Sequence, residues 1–490
     1  MTYKHSYQFP RNSSKITTSY FVKTNSAPNF KIRKRLYKDA MRFSVGCQMS
    51  KKNKMLKEEV VKTRFILYCT ASIVFCAVLA TSASATELKV RGNLDVYGMW
   101  STNLTDHNGD VGDADHYMTT QRMRTYFDYI ANENLKAVLG LEIDNVWGDN
   151  TDNVGGAWGT DGKGNIEVKH AYLDFTLPDT QIKVTAGLQY VALPSVFGNP
   201  VFEDDAAALI VSAPIIDNML GITVGYSRGV DNSYNTGAAN GNKDDIDMAF
   251  LAAPIKINDF SIAPYFAYAW LGANTLGLED DAHAWILGAN AGLKISDPLT
   301  IAADLIYGDL STGDFETAGW YAALAGTYAF DEVAVTLFST YATGLDDTDG
   351  DQTFMPTLAE GWGVSPYIGG VRAFSTTYDS FATNALGVGS NGIGLWTAGV
   401  VFDQMSFVDE KLTHKLVLAY ARGTSDEDTC NFTKEDSGFE VYLVNKYMIY
   451  ENLAAINELG YFKGSSEVLE DVDYDLDSSY FATLGFSYKF

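Results

Sequence analysis

Six basic residues have a spacing that could do chemistry: Lys89, Arg91, Arg122, Arg124, Lys136 and Lys183. Each lies in a short run where apolar and polar residues alternate, and all six take the same side of that alternation. Leu88 and Val90, Met123 and Thr125, Leu135 and Ala137, and Ile182 and Val184 take the other side. Three acids, Glu203, Asp204 and Asp205, close a segment from Val191 that two prolines and a glycine interrupt. Cations on one wall and carboxylates opposite would set up a transverse field, which orients small dipolar solutes and water and slows apolar ones. The plainer alternative is that these charges only solvate a wet interior.

Other constellations carry less. Gly387-Val388-Gly389-Ser390-Asn391-Gly392 fits G-x-G-x-x-G, but the residues behind it, Leu395 to Val400, read as a strand rather than a phosphate-binding helix. The Asp346–Asp351 run has the look of a calcium loop without the Glu that closes a twelve-residue frame, so a solvated acidic loop is the expectation. His170 and His283 stand alone, and no metal or catalytic cluster assembles around them. Neither a cofactor nor an enzymatic activity is expected.

The elements that must position these residues are strands. Segments about ten residues long alternate apolar and polar side chains through the chain from Leu88 to Phe490, the period of a half-buried strand. Short turns at Ala131–Glu133, Pro178–Thr180, Ile216–Asn218, Ile257–Asp259, Ser296–Pro298, Asp331-Glu332 and near Tyr450–Asn452 exchange with longer polar loops at 148–164, 229–245, 343–390, 423–436 and 464–477. That exchange is the layout of a transmembrane antiparallel β-barrel, with short periplasmic turns and long external loops. The tally is eighteen strands, with 16 as the alternative. No segment of useful length has a helical period; a soluble array of β-sandwiches is the other all-β reading. By parity the six cations, with Tyr97, Tyr126 and Tyr172, face the lumen.

The N-terminal part has a different character. Residues 1–54 carry thirteen basic side chains against one acid and show no sustained apolar period. Met55 then opens a basic stretch, an apolar run from Phe65 to Ala80, and the small residues Ala83-Ser84-Ala85. This is the order of a secretory signal peptide over 55–85, cleaved after Ala85. A membrane anchor would need about 20 apolar residues, more than this run holds. Residues 1–54 are therefore expected to be a mis-assigned, disordered upstream extension, with a basic nucleic-acid-binding arm as the other reading.

Removing residues 1–85 leaves 20 basic and 58 acidic side chains, a net charge of −38. Nucleic acid is thereby excluded as a partner, since its backbone rewards positive charge. Of four cysteines only Cys430 remains, which leaves no disulfide framework and no cysteine zinc site.

The chain ends on an unbroken alternation from Tyr480, with Tyr480, Ala482, Leu484, Phe486, Tyr488 and Phe490 on one face. Thr483, Gly485, Tyr488 and Phe490 resemble the C-terminal assembly signal of Gram-negative outer-membrane barrels. The stretch Thr86 to Gly98 and the stretch Ile166 to Phe175 resemble strands of the outer-membrane homotrimeric porins of sulfate-reducing bacteria. That resemblance implies a barrel over 86–490 whose third long loop, after the fifth strand, folds into the lumen and narrows it, and which assembles as a homotrimer with help from the barrel-assembly machinery. It implies a location in the cell outer membrane against lipid and lipopolysaccharide, and passive diffusion of small hydrophilic solutes and ions. The acidic excess predicts a modest cation preference. A channel selective for sugars or organic acids is the alternative, and an outer-membrane hydrolase is the reading from another class. The last strand is expected to close the barrel against the strand from Glu87, setting Lys89 and Arg91 beside Ser487 and Lys489.

Overall fold

The computed structural model describes residues 86–103, 115–149, 156–158, 166–232, 245–276, 280–313, 315–346, 353–358, 394–406, 410–426, 432–465 and 476–490. The signal segment with Ala83 and Ala85, the G-x-G-x-x-G segment, Cys430 and most of the long loops lie outside them.

Nineteen strand segments follow in order. They are β1 Glu87–Thr102, β2 Asp115–Asn132, β3 Leu135–Val146, β4 Ile166–Thr176, β5 Lys183–Ala192 and β6 Glu203–Ile216. Next come β7 Leu220–Asp231, β8 Asp245–Ala252, β9 Ile255–Ile257, β10 Phe260–Leu271, β11 Ala282–Lys294 and β12 Leu299–Thr312. The remainder are β13 Phe315–Ala329, β14 Ala334–Ala342, β15 Leu395–Met405, β16 Leu412–Gly423, β17 Ser437–Tyr450, β18 Leu453–Ser465 and β19 Ser479–Lys489. Apart from β8 and β9, each pairs antiparallel with its sequence neighbour, and β1 pairs with β19, so the sheet closes on itself.

β8 and β9 are two parts of one stave, because both lie between β7 and β10. The break falls at Ala253-Pro254, where proline offers no N–H to the ladder. Its carbonyl is still used: Gly221 N donates to Pro254 O at 2.9 Å. The barrel therefore has eighteen staves, the higher of the two expected counts. Tight turns bring one end together, and three of them carry Asp179, Asn218 and Asn258 at φ of 59°, 58° and 51°. Asp and Asn tolerate that left-handed region because their side chains bond locally.

Burial separates the two faces. On β19, Tyr480, Leu484 and Phe486 are 51%, 59% and 54% exposed, while Phe481 and Thr483 between them are 5% and 2% exposed. The same contrast runs around the outside, where Leu173, Leu209, Leu251, Leu287, Leu305 and Leu337 form an apolar belt. Aromatic pairs rim the belt: Trp100 with Tyr117, Trp396 with Tyr420 and Tyr461 with Tyr480 at the loop end, and Tyr328 with Phe330 and Tyr488 with Phe490 at the turn end.

Closure has a different register from the one expected. Lys489 stands opposite Asn93 and Ser487 opposite Asp95, so β1 projects past the end of β19 and Lys89 and Arg91 meet β2 alone. Phe490 ends the seam: Gly92 N donates to its carbonyl at 2.8 Å, and its own N donates to Gly92 O at 3.0 Å.

Candidate channel lumen

The six cations of the alternation lie on the inner face, and the pairing register gives each a nearby carboxylate. Arg122 stands opposite Asp95 on one side and Asp144 on the other. Its guanidinium meets Asp144 with two bonds of 2.7 Å, the fork-to-fork geometry that favours arginine over lysine. It also reaches Glu142 at 3.3 Å, and Arg124 donates to the same carboxylate. Arg91 meets Asp128 at 3.0 Å and lies over the Tyr126 ring at 4.5 Å. Lys136 and Lys183 share Asp174 at 3.4 and 3.2 Å, and Lys89 has Glu87 at 3.7 Å. The wall is thus a ladder of ion pairs running along β1 to β5.

Lys169 belongs to this ladder although strict alternation points it outward. On β4 the register slips between the pairs Gly140–His170 and Leu141–Val168, which leaves Lys169 as an extra residue in a bulge. It therefore turns inward with His170. Its ammonium lies 3.8 Å from Glu142 and 2.5 Å from Asp205, which also lies 3.0 Å from His170 Nε2. The one sequence signal for this was the adjacent pair of basic residues, and alternation alone misassigns one of them.

The segment between β5 and β6, residues 193–202, folds into the barrel as expected of the third loop. Leu193, Asn199 and Val201 are buried, and Phe197 packs edge-on against Phe338 of β14 with ring centroids 6.0 Å apart. The loop is fastened across the lumen. Val196 N donates to Asp304 Oδ2 of β12 at 2.7 Å, and Asn199 Nδ2 donates to the Tyr265 hydroxyl of β10 at 2.9 Å. Asn290 of β11 holds the other oxygen of Asp304 at 2.7 Å. The wall that receives the loop is lined by small and apolar residues, among them Ala267, Ala284, Ile286, Ile306 and Ala323. Small side chains there leave the space that the loop fills. A second segment joins it from the long connection after β14: Leu358 N donates to Val201 O at 2.9 Å, and Thr317 Oγ1 donates to Phe354 O at 3.2 Å. Composition offered no sign of this second segment, because its partner surface exists only once the barrel closes.

Glu203, Asp204 and Asp205 differ in place from the expectation. They are the first three residues of β6, not a free acidic edge of the loop. Glu203 Oε2 accepts from Asn199 N at 2.8 Å and its other oxygen takes the Tyr190 hydroxyl, so it ties the loop to its base. Asp205 is joined to Lys169 and His170. Asp204 stays exposed, accepting only from the following backbone N–H at 2.7 Å. The physical reason is register: Ala192 pairs with Glu203, which brings all three acids into the β5–β6 hairpin. Asp205 thus meets Lys169 and His170, while the six cations meet the wall carboxylates Glu87, Asp128, Glu142, Asp144 and Asp174.

Two further features complete the interior. Tyr126, His170 and Tyr172 form a run of rings with centroids 5.3 and 5.9 Å apart, continued by Arg91 over Tyr126. On the far side, buried Glu458 accepts from Tyr442 at 2.5 Å and from Thr483 at 2.6 Å. Among the described residues, no three His, Cys, Asp or Glu side chains are grouped to hold a metal ion.

No family model and no curated protein matches the chain. Similar solved structures include the outer membrane protein OprD from Pseudomonas aeruginosa, at 13% identity and a TM-score of 0.48 over 82% of this chain and 94% of that one. Acinetobacter baumannii OccAB3 is similar at 12% identity and 0.49, over 82% and 99%. OmpT, an outer membrane protein of Vibrio cholerae in its trimer form, is similar at 12% and 0.38, over 83% and 100%. At these values the likenesses decide neither the cargo nor the assembly of this chain.

Proposed function

We propose that residues 86–490 form an outer-membrane channel, a water-filled path for passive diffusion of small hydrophilic solutes and ions. The observation that carries this reading is the inside-out polarity of the closed barrel. Its outer face is an apolar belt rimmed by aromatic pairs, and its inner wall is a ladder of ion pairs narrowed by a fastened loop. A belt of that kind is stable against hydrocarbon, and charged walls are stable against water. The chain would reach the outer membrane through a signal peptide at 55–85, cleaved after Ala85. The barrel-assembly machinery would insert it by way of Gly485, Tyr488 and Phe490, beside lipid and lipopolysaccharide. The trimer rests on the porin resemblance, and a detergent-resistant band that falls threefold on boiling is its readout.

The excess of acids supports a modest cation preference, moderated by the pore-lining Lys89, Arg91, Arg122, Arg124, Lys136 and Lys183. Because these cations are neutralised by wall carboxylates, exposed Asp204 is the acid of its group left to act on passing ions. A second reading, a channel selective for sugars or organic acids, draws support from the Tyr126–His170–Tyr172 run beside Arg91. Liposome swelling with sugars of graded size separates the two. A smooth size cut-off is expected of the diffusion channel, and saturable uptake of one solute of the selective one.

A further inference from the structure

We infer that the outer face of β16, β17 and β18 is a docking surface within the membrane, and that its occupant is a second copy of this chain. The inference rests on the outer-membrane reading above and deepens it by naming where one barrel meets another.

Three polar side chains stand in a row on that face. His414 of β16 is opposite Asn445 of β17, Asn445 is opposite Asn457 of β18, and Asn457 is opposite Leu484 of β19. Leu484 belongs to the exposed outer belt, whereas Val444, Ile456 and Glu458 beside the row are buried, so the row points outward. Apolar side chains enclose it, Leu416, Leu443 and Leu459 toward the loops and Leu412 and Ala455 toward the turns. Tyr447 and Tyr488, exposed nearer the turns, place the row inside the belt and not at its rim.

The row is hydrogen-bonded along its length, and one end sets its direction. Asn457 Nδ2 donates to the Thr483 carbonyl at 2.8 Å. Its Oδ1 therefore faces Asn445, whose Nδ2 donates to it at 3.0 Å. Asn445 Oδ1 in turn lies 2.6 Å from His414 Nδ1. An amide oxygen only accepts, so that ring nitrogen carries the proton. The neutral ring then presents Nε2 as a bare acceptor, and each asparagine keeps one N–H to donate. Among the described residues, none takes these remaining groups.

Hydrocarbon offers nothing to a donor or an acceptor, so a polar row within the belt is stabilised by packing against protein. A second copy of this chain brings both kinds of group, the ring acceptor and the amide donors. Copies inserted the same way round hold the row at the same depth, so side-by-side packing brings row to row. The neighbouring surface suits such packing. The small residues Ala455, Ala482 and Gly98 lie on the same outer face across β18, β19 and β1, and small side chains let two walls approach closely. Beside them a groove of about 630 Å³ is lined by Leu459, Tyr480, Ala482, Trp100 and Tyr117. The opposite arc is a lipid face by contrast, with Phe266, Leu287, Leu305, Leu324 and Leu337 exposed on β10 to β14.

The test is photo-crosslinking of the full chain in outer membranes, read as size on denaturing gels. With p-benzoylphenylalanine in place of Leu459, irradiation is expected to join two copies of the chain. The same label in place of Leu337 is expected to give about tenfold less of that product. The triple variant His414→Leu, Asn445→Leu, Asn457→Leu suits a lipid face, so its barrel is expected to fold and to remain heat-modifiable on gels. Its product from the Leu459 label should fall about tenfold, equivalent to about 1.4 kcal/mol of association. Should the triple variant not fold, Asn457→Leu alone is expected to lower the product about threefold. A product with another protein in place of a second copy, equal yields from the two labels, or an undiminished yield in the folded variant overturns the inference while leaving the channel standing. A strong product from the Leu459 label in a barrel that passes no current upholds the inference and overturns the channel.

Discussion

Lys169 of β4 lies 2.5 Å from Asp205 of β6, and this pair joins the charged wall to the strand that leaves the inward loop. Through Glu142, 3.8 Å from the same ammonium, the connection continues to Arg122, Arg124 and Asp144. Beside its bonds to Tyr265 and Leu358, the loop is held by charged groups at both sides. One is this ion-pair network at its base, and the other is Asp304 across the lumen. The loop's position, and hence the width of the path, depends on both.

Glu142 is 7% exposed and receives three cations, so its loss leaves charge without compensation. Breaking a buried pair by removing one partner costs about 3–5 kcal/mol. Glu142→Gln is expected to lower stability by about 3 kcal/mol, read as a shifted urea midpoint in refolding from micelles. The same variant should move the reversal potential in a salt gradient toward anions. An unmoved midpoint would show that the network contributes nothing to holding the wall.

Asp304 takes the Val196 N–H and the Asn290 amide, and no other described carboxylate fastens the far side of the loop. In Asp304→Ala the loop keeps its Asn199–Tyr265 bond but loses the charged anchor. Expected are larger mean conductance and open-channel noise at least doubled, with the fold retained in heat-modifiability on gels. Quiet channels of unchanged conductance would refute the anchoring role.

The exposed carboxylate of Asp204 differs from its neighbours Glu203 and Asp205, which are engaged. Asp204→Asn is expected to reduce cation preference without loss of stability, whereas Asp205→Asn should also destabilise by freeing Lys169. Reversal potentials and urea midpoints measured on both variants check the contrast. A clear anion preference of the unmodified channel would count against the cation preference itself.

The seam at Gly92 and Phe490 leaves no room for a side chain. A Cβ on Gly92 would come within 2.1 Å of the Arg124 carbonyl and 2.8 Å of the Phe490 ring. Gly92→Val should therefore impair closure, and deletion of Phe490 should remove two backbone bonds along with its ring. Both changes are expected to reduce the inserted fraction several-fold while the channels that do form conduct normally. Assembly at the usual rate without Phe490 would remove the aromatic terminus from any role in insertion.

Side-chain alternation determined the strands and the two faces, because period two is a local property of the chain and needs no knowledge of neighbours. It therefore placed Lys89, Arg91, Arg122, Arg124, Lys136 and Lys183 on one face and Leu484, Phe486 and Tyr488 on the other. What alternation cannot carry is which residues stand opposite one another. The bulge that turns Lys169 inward, the offset that sets Lys489 beside Asn93, and the hairpin that absorbs Glu203 and Asp205 are all matters of register. Register comes from pairing between strands, and the Asp304 anchor comes from residues more than a hundred positions apart. Only the closed barrel brings those partners within bonding distance.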